Sequence, residues 1–386
     1  MRTGIQELRL KHFRSYESLF LKMGTDLLPV VLSGGNGAGK TNILEAISFL
    51  VPGRGLRQSK LSDIALKTPE QMRSMGNDDI DCSWSVSALV QTNNAFVRIG
   101  TGVLAEGEKR QIRIDGENLK TQKELGNFLS AIWITPAQDK LFSGDPSARR
   151  RFLDRLVQAF DAGHTSVCSD YAYALKQWNN LLHEGRSNPV WLSALEEQIA
   201  ANGVAIAAAR RDIVTRLQRF LQERQVDGFP TPIINLTGMV EQWLEGLPAI
   251  DVEDKYREKL KASRHLVADG GSVCGVHTSD FSVMHAQKGM DASECSTGEQ
   301  KALLYSIVLA QAKAATQEKG QCPVLLFDEL AAHFDAGRRT ALLERLLALP
   351  TQVWMTGTEK EPFLSLNGRA EFFNVDNAKV ELEKVA

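Results

Sequence analysis

Gly34-Gly35-Asn36-Gly37-Ala38-Gly39-Lys40-Thr41 joins an apolar run, Leu27 to Leu32, to a segment of helical spacing, Asn42 to Leu50. Strand, glycine-rich turn and helix in that order are the context that the pattern Gly-x-x-x-x-Gly-Lys-Thr requires. Glycines let backbone N–H groups turn inward around phosphate oxygens, at the positive end of the helix that follows. Lys40 supplies a mobile cation for β- and γ-phosphates, and the Thr41 hydroxyl can ligate magnesium. The stretch predicts an α/β fold with a site for ATP and Mg2+ built from residues 34–41.

Val324-Leu325-Leu326-Phe327-Asp328-Glu329 reads as a buried strand that ends in two acids. Asp328 is placed to hold magnesium through water. Glu329, the next residue, is placed to polarise an attacking water as general base. Upstream, Ser296-Thr297-Gly298-Glu299-Gln300 opens the apolar helix KALLYSIVLAQA. A hydroxyl and free N–H groups at a helix N-terminus make an anion site, although an ordinary N-cap reads the same way. Its place before the acidic strand resembles the signature of ABC-type ATPases, which binds the γ-phosphate of a nucleotide held by the partner subunit. Ser296 and Gly298 are then the residues that complete the site. Asp335, in Leu330-Ala331-Ala332-His333-Phe334-Asp335, fits the acid of a D-loop, and Gln138 is either a Q-loop glutamine or a plain loop residue.

The 386 residues are 43% hydrophobic and 24% charged, with a net charge of −2, an ordinary globular composition without a global basic field. No apolar run reaches the roughly 20 residues that span a bilayer. No secretory signal is visible, and five scattered cysteines without CxxC spacing fit a reducing cytoplasm. Basic clusters occur at Arg54/Arg57/Lys60, Arg149-Arg150-Arg151/Arg155, Arg210-Arg211 and Arg338-Arg339, each either a solvated face or a contact for DNA. Ile5 to Tyr16 alternates as a strand. Cys82 to Leu119 alternates as an antiparallel sheet with a hairpin at Asp115-Gly116. Ser147 to about Val226 is helical in character, and Asp254 to Ala268 adds another helix. The α/β order then returns, with strands at Pro323 to Phe327 and Gln352 to Thr356 and a closing hairpin near the end.

Beyond these motifs, the whole chain resembles the RecF family of bacterial repair ATPases related to SMC proteins. The matching stretches are Leu10 to Tyr16, the 34–41 loop, Ile134-Thr135-Pro136, Leu141 to Pro146 and Arg149 to Asp154. Gly275 to Phe281, the Ser296 helix and Phe327-Asp328-Glu329 complete the series. The resemblance implies an ABC-type ATPase head, a P-loop core sheet plus an antiparallel β subdomain, with an inserted all-helical lobe. Residues 1–145 and 270–386 would form the ATPase domain and 146–269 the mainly helical insertion. It further implies an ATP-dependent homodimer on double-stranded or gapped DNA, slow hydrolysis, and cooperation with RecR and RecO-like mediators in loading recombinase. Val276 and Thr278 depart from the family's proline and arginine. Thr356-Gly357-Thr358 stands where ABC transporters carry a switch histidine, so Thr356 or Thr358 is the candidate phosphate sensor. The runner-up is an ABC transporter nucleotide-binding subunit. A GTPase is disfavoured because no NKxD base reader occurs.

Overall fold

The computed structural model describes residues 2–67, 82–92, 95–104, 109–185, 188–222, 229–330 and 334–383. The chain divides into two compact units, Met1–Asp139 with Ala312–Ala386, and Lys140–Gln311. The second unit is wider than 146–269. Strand Asp280–His285 pairs antiparallel with Pro232–Thr237, and Gln311 Nε2 donates to the Leu156 carbonyl at 2.7 Å, which ties 270–311 to the helices.

In the first unit one sheet runs Lys379–Glu383, Glu371–Asp376, Val30–Ser33, Val353–Gly357, Val324–Phe327, Ala131–Ile134 in spatial order. All its pairings are parallel except the closing hairpin. The four strands from Val30–Ser33 to the edge strand Ala131–Ile134 are buried on both faces, which explains why they read as continuous apolar runs rather than alternating ones.

The other sheet of this unit is antiparallel, in the order Tyr16–Lys22, Gly4–Phe13, Trp84–Gln91, Phe96–Val103, Gln111–Ile114, Glu117–Asn118. Its turn residues Asp115 and Gly116 have φ of 50° and 93°, the left-handed pair that a tight hairpin needs. Gln352 joins the two sheets. Its Oε1 accepts from the Ile5 N–H at 2.9 Å and from Trp354 Nε1 at 2.9 Å, and its Nε2 donates to the Ile5 carbonyl at 3.2 Å. This amide is fully buried, so losing any of these bonds costs about 1–3 kcal/mol. Beneath the antiparallel sheet, Phe13, Phe49 and Trp84 meet, Phe13 and Trp84 edge to face at 5.6 Å. Each such buried side chain contributes about 1.5–3 kcal/mol.

The second unit is mainly helical, with helices Pro146–Gln158, His164–His183, Pro189–Gln222, Met239–Gly246, Ala249–Ala262 and Arg264–Ala268. Pro146 and Pro189 each occupy a first helical position, where the missing N–H is not needed. The stretch expected as one helix, Asp254 to Ala268, is two, Ala249–Ala262 and Arg264–Ala268, which meet at Ser263, whose hydroxyl donates to the Lys259 carbonyl at 2.8 Å. Helix Met239–Gly246 and strand Pro232–Thr237 are not among the expected elements; each is too short for its periodicity to stand out.

Here two of the four basic clusters turn residues inward. Arg149 forks onto both oxygens of Asp280 at 2.8 Å, and Arg150 donates to the Ser279 carbonyl at 2.7 Å. Arg210 forks onto Asp154 at 2.8 and 2.9 Å and reaches the Val276 carbonyl at 2.6 Å. The stretches Arg149 to Asp154 and Gly275 to Asp280, far apart in sequence, are thus partners in one partly buried ionic framework. Asp154, His164 and Cys168 also converge there. Because Arg210 takes both carboxylate oxygens, the cluster is an ion-pair network rather than a cation site.

Candidate functional site

The 34–41 loop leaves strand Val30–Ser33 and opens helix Lys40–Ser48. Two of its glycines are fixed by the chain itself. At Gly34, φ 146°, an added Cβ would sit 2.0 Å from the Val375 carbonyl; at Gly39, φ 116°, it would sit 2.6 Å from the Tyr16 hydroxyl. Gly35 and Gly37 differ, because nothing lies within 4 Å of a Cβ placed there. Gly37 is left-handed at φ 79°, but Gly35 has no such need. Its bare backbone suits the close approach of a ligand.

Helix Lys40–Ser48 has no acidic residue in its first turn, so its positive end is uncompensated. Lys40 is 7% exposed, and its Nζ donates to the Gly34 and Gly35 carbonyls at 2.6 and 2.7 Å. Those oxygens satisfy its bonds without cancelling its charge. Burial pulls the Lys40 pKa below its usual value, against the opposing pull of Asp328 and Glu329. A buried cation, an uncompensated helix end and an open glycine cradle fit a polyphosphate.

Strand Val324–Phe327 carries Asp328 to the same place, since it lies two strands from Val30–Ser33 with Val353–Gly357 between them. Thr41 Oγ1 stands 2.9 and 3.0 Å from the two Asp328 oxygens. A hydroxyl beside a carboxylate is the hard-oxygen donor set that Mg2+ takes. Thr356 Oγ1 donates to Asp328 Oδ1 at 2.8 Å and accepts the Glu329 N–H at 2.8 Å. Glu329 itself has φ 53°, a left-handed conformation that costs a residue with a Cβ. Thr356 is fully buried and Thr358 is exposed, so of these two only Thr356 is part of the acidic strand's end.

Arg14, Ser15 and Tyr16, just past strand Gly4–Phe13, build the outer wall. Ser15 Oγ accepts from Asn42 Nδ2 at 2.9 Å. Arg14 forks onto Glu45 at 2.7 and 2.8 Å, and Arg57 reaches the same carboxylate at 2.6 Å, so Arg57 belongs to the site's frame. Glu45 is fully buried. At the far end of the helix, Arg110 takes the Phe49 carbonyl and, at 2.6 Å, the Gly53 carbonyl; burial pulls its pKa down to about 10. Glu45 and Arg110 were invisible to motif reading, and Arg14 stood only as a member of the stretch Leu10 to Tyr16. A lone Glu between Leu44 and Ala46 inside an apolar helix pattern was the only available signal.

Gln138 lies in the turn after strand Ala131–Ile134, whose Ile134 carbonyl accepts the Asp328 N–H at 2.9 Å. Its Oε1 accepts the Thr135 N–H at 3.0 Å, while its Nε2 is buried with no partner among the described residues. In the second unit, Ser296 caps helix Thr297–Lys319. Its hydroxyl donates to Glu299 Oε2 at 2.9 Å, and Lys288 holds the other Glu299 oxygen at 2.5 Å. The Lys288 and Ser296 bonds, against a smaller opposing effect of burial, bring the Glu299 pKa down to about 2. Ser296 is exposed and Gly298 half-buried. Of the D-loop stretch, 331–333 lie outside the described residues; Asp335 caps helix Ala336–Leu347 by accepting the Arg338 N–H at 2.9 Å.

Comparison with known proteins gives one consistent result. Residues 4–380 match the family described as RecF/RecN/SMC N terminal domain. The chain is 43% identical to the DNA replication and repair protein RecF of Allorhizobium ampelinum, over 99% of each chain. It is 44% identical to that of Mesorhizobium japonicum, over 98% of this chain and 97% of the relative. Among solved structures, the recombination mediator RecF-ATPrS of the RecFOR pathway superposes with a TM-score of 0.81 at 22% identity, covering 99% and 98% of the two chains. The Smc head of Pyrococcus furiosus, with a coiled coil and bound to part of ScpA, gives 0.52 at 16%, covering 99% and 96%. The structural likenesses concern the fold; the sequence identities concern the family.

Proposed function

The chain belongs to the RecF family, and on that premise we propose that it is an ATP-driven switch of recombinational DNA repair, working in the cytoplasm. One observation carries the reading: Thr41 and Asp328, 287 residues apart, share a hydrogen bond at the mouth of the glycine loop. It supports a reading in which the residues for phosphate, magnesium and water activation work at one point.

In this reading the N–H groups of 34–41 and Lys40 hold the phosphates, and Thr41 and Asp328 hold Mg2+. The bound ATP–Mg2+ supplies the energy of a phosphoanhydride bond when its γ-phosphate is transferred to water. Glu329 orients that water and accepts its proton. Thr356 holds Asp328 and the Glu329 backbone in register. The site is half complete within one chain. Ser296 and Gly298 of a second copy, at an exposed helix N-terminus, supply the donors for the γ-phosphate. ATP binding therefore closes a homodimer on double-stranded or gapped DNA, and slow hydrolysis releases it. Gln138, whose buried amide nitrogen has no partner among the described residues, reports on the site in this reading. RecR and RecO-like mediators then take part in loading recombinase at the gap. The transporter reading has no support in relatives this similar along the whole chain.

The test is sedimentation of the wild-type chain and of Glu329→Gln, with and without ATP–Mg2+ and duplex DNA. Glu329→Gln should accumulate as an ATP-bound dimer that retains DNA. A chain that stays monomeric in both forms with ATP would overturn the switch.

A further inference from the structure

The solvent face of the antiparallel sheet holds a groove of about 510 Å³ whose lining includes Lys11, Ser85, Ser87, Gly100 and Arg113. It lies wholly within the first unit. Register gives it its shape. One row crosses four strands as Lys11, Ser85, Gly102, Gln111, and the next as Arg9, Ser87, Gly100, Arg113. The middle strands thus present hydroxymethyls and bare backbone, and the outer strands carry long cations. Three strand spacings put roughly 14 Å between the outer strands.

Such a floor is not what an idle sheet face requires. Glycine inside a strand weakens it, and is kept where a turn, a bulge or a close approach demands it. Gly102 has a reason of its own: an added Cβ would lie 2.3 Å from the Trp84 carbonyl. Gly100 has none, since its nearest neighbour would be the Arg113 Cβ at 3.9 Å, an ordinary contact. Space above Gly100 is therefore left for something outside the chain.

The charges say what that is. Among the described residues no carboxylate lines the groove. Glu7 beside it engages Arg98 at 3.0 Å and Arg9 at 3.4 Å. Lys11 is exposed, and among the described residues Arg113 spends only its Nε, on the Asn118 side chain at 3.0 Å. Among the described residues no exposed aromatic lines the floor, Trp84 being 2% exposed, so none of them can stack an unpaired base. We infer that this groove seats one sugar–phosphate backbone of duplex DNA, with Lys11 and Arg113 on the phosphates and the backbone lying over Gly100. The inference rests on the DNA-binding reading above and assigns it a surface. It reads shape and charge, not sequence.

The experiment is titration of fluorescent duplex DNA, with ATP, across a salt series. The proteins are wild type, the double variant Lys11→Gln/Arg113→Gln, and Gly100→Val. Each lost phosphate contact lowers the slope of log affinity against log salt by about 0.9, so the double variant should lose close to 2. Gly100→Val changes no charge and suits a strand, so it should unfold no earlier than wild type yet bind about tenfold or more weakly. Turnover of ATP without DNA should be unchanged in both. If wild type binds and both variants bind with its affinity and slope, the groove assignment is wrong while the function stands. If wild type itself fails to bind duplex at low salt, the DNA reading falls and the groove with it.

Discussion

Thr356 and Asp328 are joined side chain to side chain at 2.8 Å, and the same Thr356 oxygen accepts the N–H of Glu329 at 2.8 Å. One buried hydroxyl thereby sets the two acidic residues that end the central strand. It also stabilises the left-handed turn at Glu329 that aims its side chain.

Thr356→Val keeps the shape and removes the hydroxyl. It leaves the Glu329 N–H without this acceptor, at a cost of about 1–3 kcal/mol in stability. ATP turnover at saturating ATP should fall by about tenfold or more, with the larger effect on kcat than on KM. Thr356→Ser should restore both. Urea unfolding and steady-state turnover decide it; equal turnover in the valine variant would remove Thr356 from the machinery.

Lys40→Met should abolish ATP binding without destabilising the fold. Burial already disfavours the Lys40 charge, so an apolar side chain of similar length relieves a desolvation cost. Binding of a fluorescent ATP analogue and the unfolding midpoint are the two readouts. Retained binding would refute the loop assignment.

Glu45→Ala leaves Arg14 and Arg57 facing an empty, buried position. Breaking a buried pair by removing one partner costs about 3–5 kcal/mol, and the partial exposure of Arg57 argues for the lower end. A loss below about 1 kcal/mol by urea unfolding would place Glu45 among surface pairs.

Ser296→Arg should leave ATP binding intact and prevent ATP-dependent dimerisation. The large cation fills the space that Ser296 and Gly298 offer to the other copy's γ-phosphate. Sedimentation with ATP checks it; a normal dimer would end the trans role of the Ser296 turn.

His277 gives the second unit a pH dependence. Burial, and then the charges of Arg150 and Arg210, lower its pKa below 6.5, against a bond with Val273 that raises it. The folded state thus prefers neutral His277. Stability is present above 6.5 and is lost as the pH falls from there toward the folded pKa, because the unfolded chain takes the proton first. His277→Asn should flatten that part of the profile. Urea midpoints measured on either side of 6.5 test the sign; an unchanged slope would show that His277 does not carry it.

The sequence by itself determined what lies within one contiguous stretch. The 34–41 loop, the run from Val324 to Glu329, the Asp115-Gly116 hairpin and the buried strands were legible because left-handed glycines and apolar periodicity are local properties. Resemblance added the family and the order of segments. The tertiary structure alone decided which distant residues meet. Parallel pairing sets Thr356 beside Leu32 and Met355 beside Phe327, and so brings the Thr356 hydroxyl to Asp328. Nothing near residue 356 in the chain announces that bond. The arginine clusters teach the same lesson, since charge runs resemble solvated faces until Arg149 is seen on Asp280 and Arg210 on Asp154. The physical reason is that closing a long loop costs only a slowly growing entropy. Register and core packing, not sequence distance, therefore choose the partners.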